Sequence, residues 1–286
     1  MKLRKAIEEF EIYTEFTKSD GTVDFYKYYL NALDKDLGHL QCNEITNSVI
    51  LKYIKHRKID NPNVSHATIN KHLITLKATV KYATGIKIEF KKLKERKKQI
   101  ETVPVETSNK IFNYYQKHLS NPSSFRNYLF LKLLLDTGLR LSEIVSVNVN
   151  DIDFDSLSIH IKTTKTDVDR YVCFTEQTKK LLLAFISKYK VNKLLFFDFI
   201  TGNKMTTSSV ESFIYRLKNK LNIKTSITPH KWRHTFATNF VRSHGGTPVL
   251  MKLLGHSNLK TTEKYLHLNK NDIVNEYKKI MEQGNM

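Results

Sequence analysis

The chain of 286 residues is poor in cysteine, in acidic residues and in long apolar runs. Its two cysteines, Cys42 and Cys173, stand far apart. They can form neither a disulfide framework nor a Cys-x-x-Cys metal site, and a reducing cytoplasm suits such a chain. Apolar runs such as 194–197 are far too short to span a bilayer, so no membrane role is expected. Met1-Lys2-Leu3-Arg4-Lys5 leads to Glu8 and Glu9 without an apolar stretch, so no secretory signal is expected. There is no Gly-x-x-x-x-Gly-Lys loop for a nucleotide, no carboxylate cluster for a metal ion, no internal repeat and no low-complexity segment. No motif for ATP or for a metal cofactor is therefore seen.

What is present is positive charge. Lys and Arg number 47 against 28 Asp and Glu, a formal net charge of +19. Such a surface attracts polyanions, and nucleic acid comes first because neutralised phosphates release counterions. Hydrophobic residues make up 40% of the chain, enough for a real core, and the length suits two domains.

Residues 1–98 read as helical. Apolar residues recur at helical spacing through Tyr29, Leu30 and Leu33, through Ile50, Tyr53 and Ile54, and through Ile69, Leu73, Leu76 and Val80. Asn61-Pro62-Asn63 separates the last two stretches, and Gly85 closes the third. A basic run follows at 91–98, with Lys91, Lys92, Lys94, Arg96, Lys97 and Lys98. It reads as an interdomain linker able to lie along a phosphate backbone. Val103-Pro104 opens the second domain, 104–286, which is mixed. A buried helix is predicted at 123–137 with Gly138 as its cap, then a helix at 141–147. Alternation predicts one strand over 152–161 and another over 170–174, joined by a polar turn at 163–169. Helices follow at 176–190, 207–221, 229–243, 248–254 and from 260 onward. The fold class is mainly α with a small β-sheet.

Four constellations carry chemistry. In Thr228-Pro229-His230-Lys231-Trp232-Arg233-His234, Thr228 suits an N-cap and Pro229 the first turn. His230 and Arg233 then share a face at a helix N-terminus, which favours anions. His230 and His234 at i, i+4 would also fit zinc, but no third ligand is evident. In Leu253-Leu254-Gly255-His256, Gly255 ends a helix and His256 falls at the break, with Tyr265 on the next helix. Thr137-Gly138-Leu139-Arg140-Leu141-Ser142-Glu143 puts Arg140 close to a core, where it needs an anion; Glu143 is one candidate. The hairpin turn offers Lys165, with Lys162 as a competitor.

The order Arg140, Lys165, His230-x-x-Arg233, Leu-Gly-His256 and then Tyr265 nine residues on resembles the tyrosine recombinase (phage integrase) family, in its Xer-like form. Thr-Gly-Leu-Arg-Leu-Ser-Glu-Ile, Thr-Lys-Thr and Leu-Gly-His-Ser-x-x-x-Thr-Thr-x-x-Tyr are similar to its motif boxes. Thr68-Ile69-Asn70-Lys71-His72-Leu73 is similar to its helical core-binding domain, although the segment before Thr68 matches poorly. The resemblance implies a SAM-like helical core-binding domain followed by an α+β catalytic domain, the two clamping duplex DNA.

It also implies roles. Tyr265 attacks a DNA phosphate and forms a 3′-phosphotyrosyl bond, Arg140 and Arg233 hold the non-bridging oxygens, and His230 serves in proton transfer. His256 donates a hydrogen bond to the phosphate, and Lys165 protonates the leaving 5′-oxygen. Lys71 and the basic run would contact DNA. Four protomers on two duplexes, with accessory or directionality factors, would integrate, excise, invert or resolve DNA. The C-terminal helix would dock on a neighbouring protomer or on its own domain. A DNA-binding regulator without cleavage, or a type IB topoisomerase-like enzyme, is the alternative reading.

Overall fold

The computed structural model describes residues 1–95, 100–162, 169–243, 245–255 and 260–263. The chain forms two compact units, Met1–Lys98 and Gln99–Met286. As the apolar spacing predicts, it is mainly helical, with a small sheet in the second unit.

The first unit packs four helices: α1 (Leu3–Thr17), α2 (Asp20–Leu37), α3 (Asn47–Asp60) and α4 (His66–Thr84). Helix α1 was not singled out by the sequence pattern, yet it buries Leu3, Ala6, Ile7, Phe10 and Thr14, an i, i+3, i+4, i+7 stripe. It packs against α2 and α4, whose inward residues include Leu30, Leu33, Ile69, Leu73, Leu76 and Val80. Ser65 caps α4 by accepting a hydrogen bond from the Thr68 N–H at 3.0 Å. Gly85 ends it in the left-handed conformation, as predicted.

The start of the basic run is tied down rather than free. Both ends of the Asn70 amide bond the Leu93 backbone, donating to its carbonyl and accepting from its N–H, each at 2.9 Å. His66 Nδ1 lies 2.8 Å from the Lys94 carbonyl, and Phe90 and Leu93 pack against the core. Within the basic run read as a linker, the backbone at Leu93 and Lys94 is held against α4 while Lys91, Lys92 and Lys94 stay exposed. Arg96, Lys97 and Lys98 lie outside the described residues.

The second unit is built around α6 (Pro122–Thr137), which follows α5 (Val105–Gln116). Pro122 occupies its first turn and the Asn121 side chain accepts from the Ser124 N–H at 2.9 Å. Nearly every face of α6 is buried, Leu129, Phe130, Leu131, Leu133 and Leu134 completely so. A helix that is apolar all round belongs at the centre of its domain. Helix α7 (Leu141–Ile144) is one turn long and stops short of the predicted 147.

The predicted strand at 152–161 is two strands. Here β1 (Ile152–Asp153) and β2 (Ser158–Ile161) flank a turn, and β3 (Arg170–Cys173) completes an antiparallel sheet in the order β1-β2-β3. The turn forms because Asp153 Oδ1 accepts from the Asp155 and Ser156 N–H groups at 2.9 and 3.0 Å. Residues 163–168, the hairpin tip, lie outside the described residues. Helices α8 (Glu176–Tyr189), α9 (Thr207–Lys220), α10 (Pro229–Arg242), α11 (Thr247–Leu254) and α12 (Lys260–Glu263) follow close to the predicted limits, α12 being described for one turn only. Helix α10 lies along α6, and α11 packs on α10 and β3.

Candidate active site

The site begins where α6 stops. Gly138 takes a left-handed conformation at φ 62°, and a Cβ there would sit 2.2 Å from the Phe236 ring of α10. Only glycine allows both the turn and that close approach. The turn sends Leu139 into the core, fully buried, and leaves Arg140 at the N-cap of α7. Arg140 is held from both sides. Its backbone N–H donates to Glu143 Oε2 at 2.7 Å, and its Nη1 donates to Glu143 Oε1 at 2.9 Å. Its Nη2 donates to the Gly255 carbonyl at 2.9 Å. The side chain remains 40% exposed, and further N–H groups of the guanidinium fork are left to face an anion.

Arg233 reaches the same place from α10. It is only 4% exposed, and donates from Nη1 to the Gly138 carbonyl at 2.6 Å and from Nη2 to the Leu254 carbonyl at 2.7 Å. Both acceptors lie at helix C-terminal ends, where unpaired carbonyls carry partial negative charge. That explains how a guanidinium can be buried there. Trp232, Phe236 and Ala237, also buried, hold this face of α10 inward. His230, one turn earlier, is exposed, with its ring centroid 5.5 Å from that of His234. Thr228 stands at the N-cap as expected, but its side chain makes no capping bond; its carbonyl accepts from the Lys231 N–H instead. No group of three or more potential metal ligands occurs among the described residues.

Arg170 is the residue that motif reading missed. It opens β3 at an inward position, 8% exposed. Its Nε donates to the Leu253 carbonyl at 3.0 Å and its Nη2 to Glu143 Oε2 at 2.7 Å. Three arginines from three separate stretches thus take three successive carbonyls, Leu253, Leu254 and Gly255, at the end of α11. Glu143 sits between two of them. Burial pushes its carboxyl up, but the bonds from Arg170 and from the Arg140 backbone and side chain outweigh this and hold it down at about 2. It is therefore an anion at any ordinary pH. The signal in the sequence was an arginine alternating in phase with Val172 on an inward strand face.

Lys162 is already engaged, its Nζ 2.9 Å from Asp151 Oδ1. Lys165, His256 and Tyr265 lie outside the described residues. In the first unit, Lys71 is exposed, with its ammonium 6.0 Å from the centre of the Phe25 ring.

Residues 101–272 match the family model described as phage integrase family, and residues 7–87 match that of the phage integrase N-terminal SAM-like domain. The chain is 29% identical over 271 residues to tyrosine recombinase XerA of Saccharolobus solfataricus, covering 92% of this chain and 87% of that protein. It is 27% identical over 290 residues to a probable integrase/recombinase of Acholeplasma phage L2, covering 99% of each. Its fold is similar to that of the Tn1549 transposon integrase solved in complex with transposon right-end DNA. The TM-score there is 0.81 at 20% identity, covering 98% of this chain and 100% of that one.

Proposed function

The chain belongs to the phage integrase family of tyrosine recombinases, and from that premise we propose how its residues divide the work of cutting and rejoining DNA at a specific site. Tyr265 attacks the scissile phosphate, so that a 3′-phosphotyrosyl bond forms as the bond to the 5′-oxygen breaks. Arg140 and Arg233 bind the non-bridging oxygens and stabilise the charge that builds there. His230 moves the tyrosine proton, His256 donates a hydrogen bond to the phosphate, and Lys165 delivers a proton to the leaving oxygen. The ion pair between Lys162 and Asp151 supports Lys165 as that donor. Rejoining reverses these steps, and the phosphodiester energy is kept in the tyrosyl ester.

One observation carries the reading. Arg140 and Arg233, 93 positions apart, converge on the neighbouring carbonyls of Gly255 and Leu254, next to His256 in the chain. Cations fixed in this way act without reorganising as the reaction proceeds. A phenol of ordinary pKa near ~10 needs such a field, or a base, to become a nucleophile.

Double-stranded DNA is the proposed partner, gripped through backbone contacts that include Lys71, Lys91, Lys92, Lys94, Arg96, Lys97 and Lys98. Exchange between two sites calls for four protomers, with accessory or directionality factors setting the outcome. Both cysteines are free thiols, which suits the cytoplasm as the working compartment.

The test uses nicked duplex fragments tiling the DNA around the gene, run on a denaturing gel. The nick lets the short piece that carries the new 5′-hydroxyl diffuse away and traps the intermediate. A slow, protease-sensitive band is expected, unchanged by EDTA and absent in Tyr265→Phe, which still binds DNA. A band that persists in Tyr265→Phe would remove the central assignment. Tight binding to a defined site without any band would favour a regulator that does not cleave.

A further inference from the structure

An arginine at an inward strand position is out of place energetically. The neighbouring inward positions of the sheet hold Ile159, Ile161 and Val172, and Arg170 pairs across the strands with Ile161. Burying a guanidinium there requires desolvation, which a well-packed apolar side chain would avoid. Its presence calls for a role that an apolar residue could not fill, and its bonds show where to look.

Through Nη2 it fixes Glu143, whose other oxygen holds Arg140. Through Nε it fixes the Leu253 carbonyl, adjacent to the Leu254 carbonyl that holds Arg233. Its guanidinium also lies flat against Gly255: a Cβ there would be 3.0 Å from both Cζ and Nη1 of Arg170. Gly255 supplies the carbonyl that Arg140 grips. Arg170 therefore touches what orients Arg140 on one side and what orients Arg233 on the other. There is an electrostatic consequence as well. With one carboxylate shared between two guanidinium groups, less of the charge on Arg140 is spent on Glu143, and more remains for an incoming phosphate.

We propose that Arg170 is a positioning residue for the strand-cleavage chemistry, locking Glu143 and the end of α11 so that Arg140 and Arg233 meet the phosphate in one fixed arrangement. The inference rests on the recombinase reading above for what Arg140 and Arg233 do, and on geometry alone for what Arg170 does to them. A lysine at 170 would keep the charge but lose the fork that reaches Glu143 and Leu253 together.

The experiment compares the full chain with Arg170→Met and Arg170→Lys, using the same nicked fragments. It reads the rate of covalent adduct formation across DNA concentrations and the titration of the Glu143 carboxyl by carbon-13 NMR. In Arg170→Met the maximal cleavage rate should fall roughly 10–100-fold, the size usual for groups that orient the reacting ones. The half-saturating DNA concentration should stay unchanged, and Arg170→Lys should fall between the two. Glu143 faces Arg140 and Arg170, and loss of the latter should move its titration upward. A folded Arg170→Met that cleaves at the wild-type rate would overturn the inference and leave the Tyr265 assignment standing. If Arg170→Met does not fold by circular dichroism, wild-type cleavage by Arg170→Lys overturns it equally. If the wild type forms no adduct with any fragment, it is the recombinase reading that loses its support. The NMR titration then still decides about Arg170, because an unmoved Glu143 in the variant means the lock does not exist.

Discussion

Both units bury a polar cluster, and they treat its charge in opposite ways. In the first unit Tyr53 and His72 lie 2.9 Å apart in the core, and burial above all lowers His72 to about 4, with Arg57 adding to the fall and Asp36 opposing it. The pair is neutral at physiological pH. In the second unit Glu143, largely but less completely buried, is held at about 2 by its arginines and stays charged. Desolvation acts on both; fixed counter-charges decide the outcome. A neutral buried pair fills and orients a core, whereas a largely buried ionic network keeps charges aimed where water screens them less. The first unit is thus read as scaffold at this point and the second as machinery.

The most direct way to break that division is to remove one member of each cluster. Arg233→Met should lower the rate of covalent adduct formation by roughly 10²–10³-fold, the loss typical of a donor aimed at developing charge. His72→Phe should leave that rate within a factor of about two once the protein is folded, since among the described residues its ring hydrogen-bonds only Tyr53. Equal losses from both changes, measured on the same nicked duplex, would abolish the distinction.

A second contrast sets one helix-ending glycine in each unit against the other. Gly85 and Gly138 have φ of 72° and 62°, but a Cβ at Gly85 would meet nothing within 4 Å, whereas at Gly138 it would strike the Phe236 ring. Gly85→Ala should therefore lose only the left-handed backbone penalty, about 1–2 kcal/mol. Gly138→Ala should lose that and about 1–3 kcal/mol more from overpacking against a ring buried among Ala237, Leu250 and Leu254. Because the Gly138 carbonyl receives Arg233, only Gly138→Ala should also slow cleavage. Urea unfolding of the two variants measures the first difference, and equal losses of stability would mean that Phe236 gives way freely.

Much of this was legible in the residues. Gly138 and Gly255 read as helix ends, the spacing of His230 and Arg233 pointed to an anion site, and Arg140 joined them only through the family resemblance. The inward phase of Arg170 was legible but its task was not, because its partners are a backbone carbonyl 83 positions away and a carboxylate 27 positions away, and carbonyls leave no mark in a sequence. The break between β1 and β2 was missed for a different reason. Most of 152–161 alternates, the phase slipping once at Asp155-Ser156, and Leu157 turns the chain at φ 53° although leucine gives no turn signal. The cue was Asp153, whose side chain caps the turn. The docking of 91–95 was hidden because it depends on one amide, that of Asn70, which composition counts as merely polar.

The subtlest expected difference between the two clusters is the pH at which each gives way. His72 falls from 6.5 in the unfolded chain to about 4 in the folded one, and Glu143 from 4.5 to about 2. In both cases the unfolded state takes up the proton first as pH falls, so each group withdraws stability as acid is added. The windows differ: between 6.5 and 4 for the first unit, between 4.5 and about 2 for the second. The chain carries one tryptophan, Trp232, fully buried in the second unit. Its fluorescence reports that unit, whereas far-ultraviolet circular dichroism reports both. In mild urea, lowering the pH from 6.5 towards 4.5 should therefore reduce the dichroism before the Trp232 emission shifts. In His72→Phe, which has no proton to take up, the dichroism should hold until lower pH and follow the fluorescence more closely. Trp232 responding first in the wild type would mean that the charged network, for all its counter-charges, is the weaker of the two in acid.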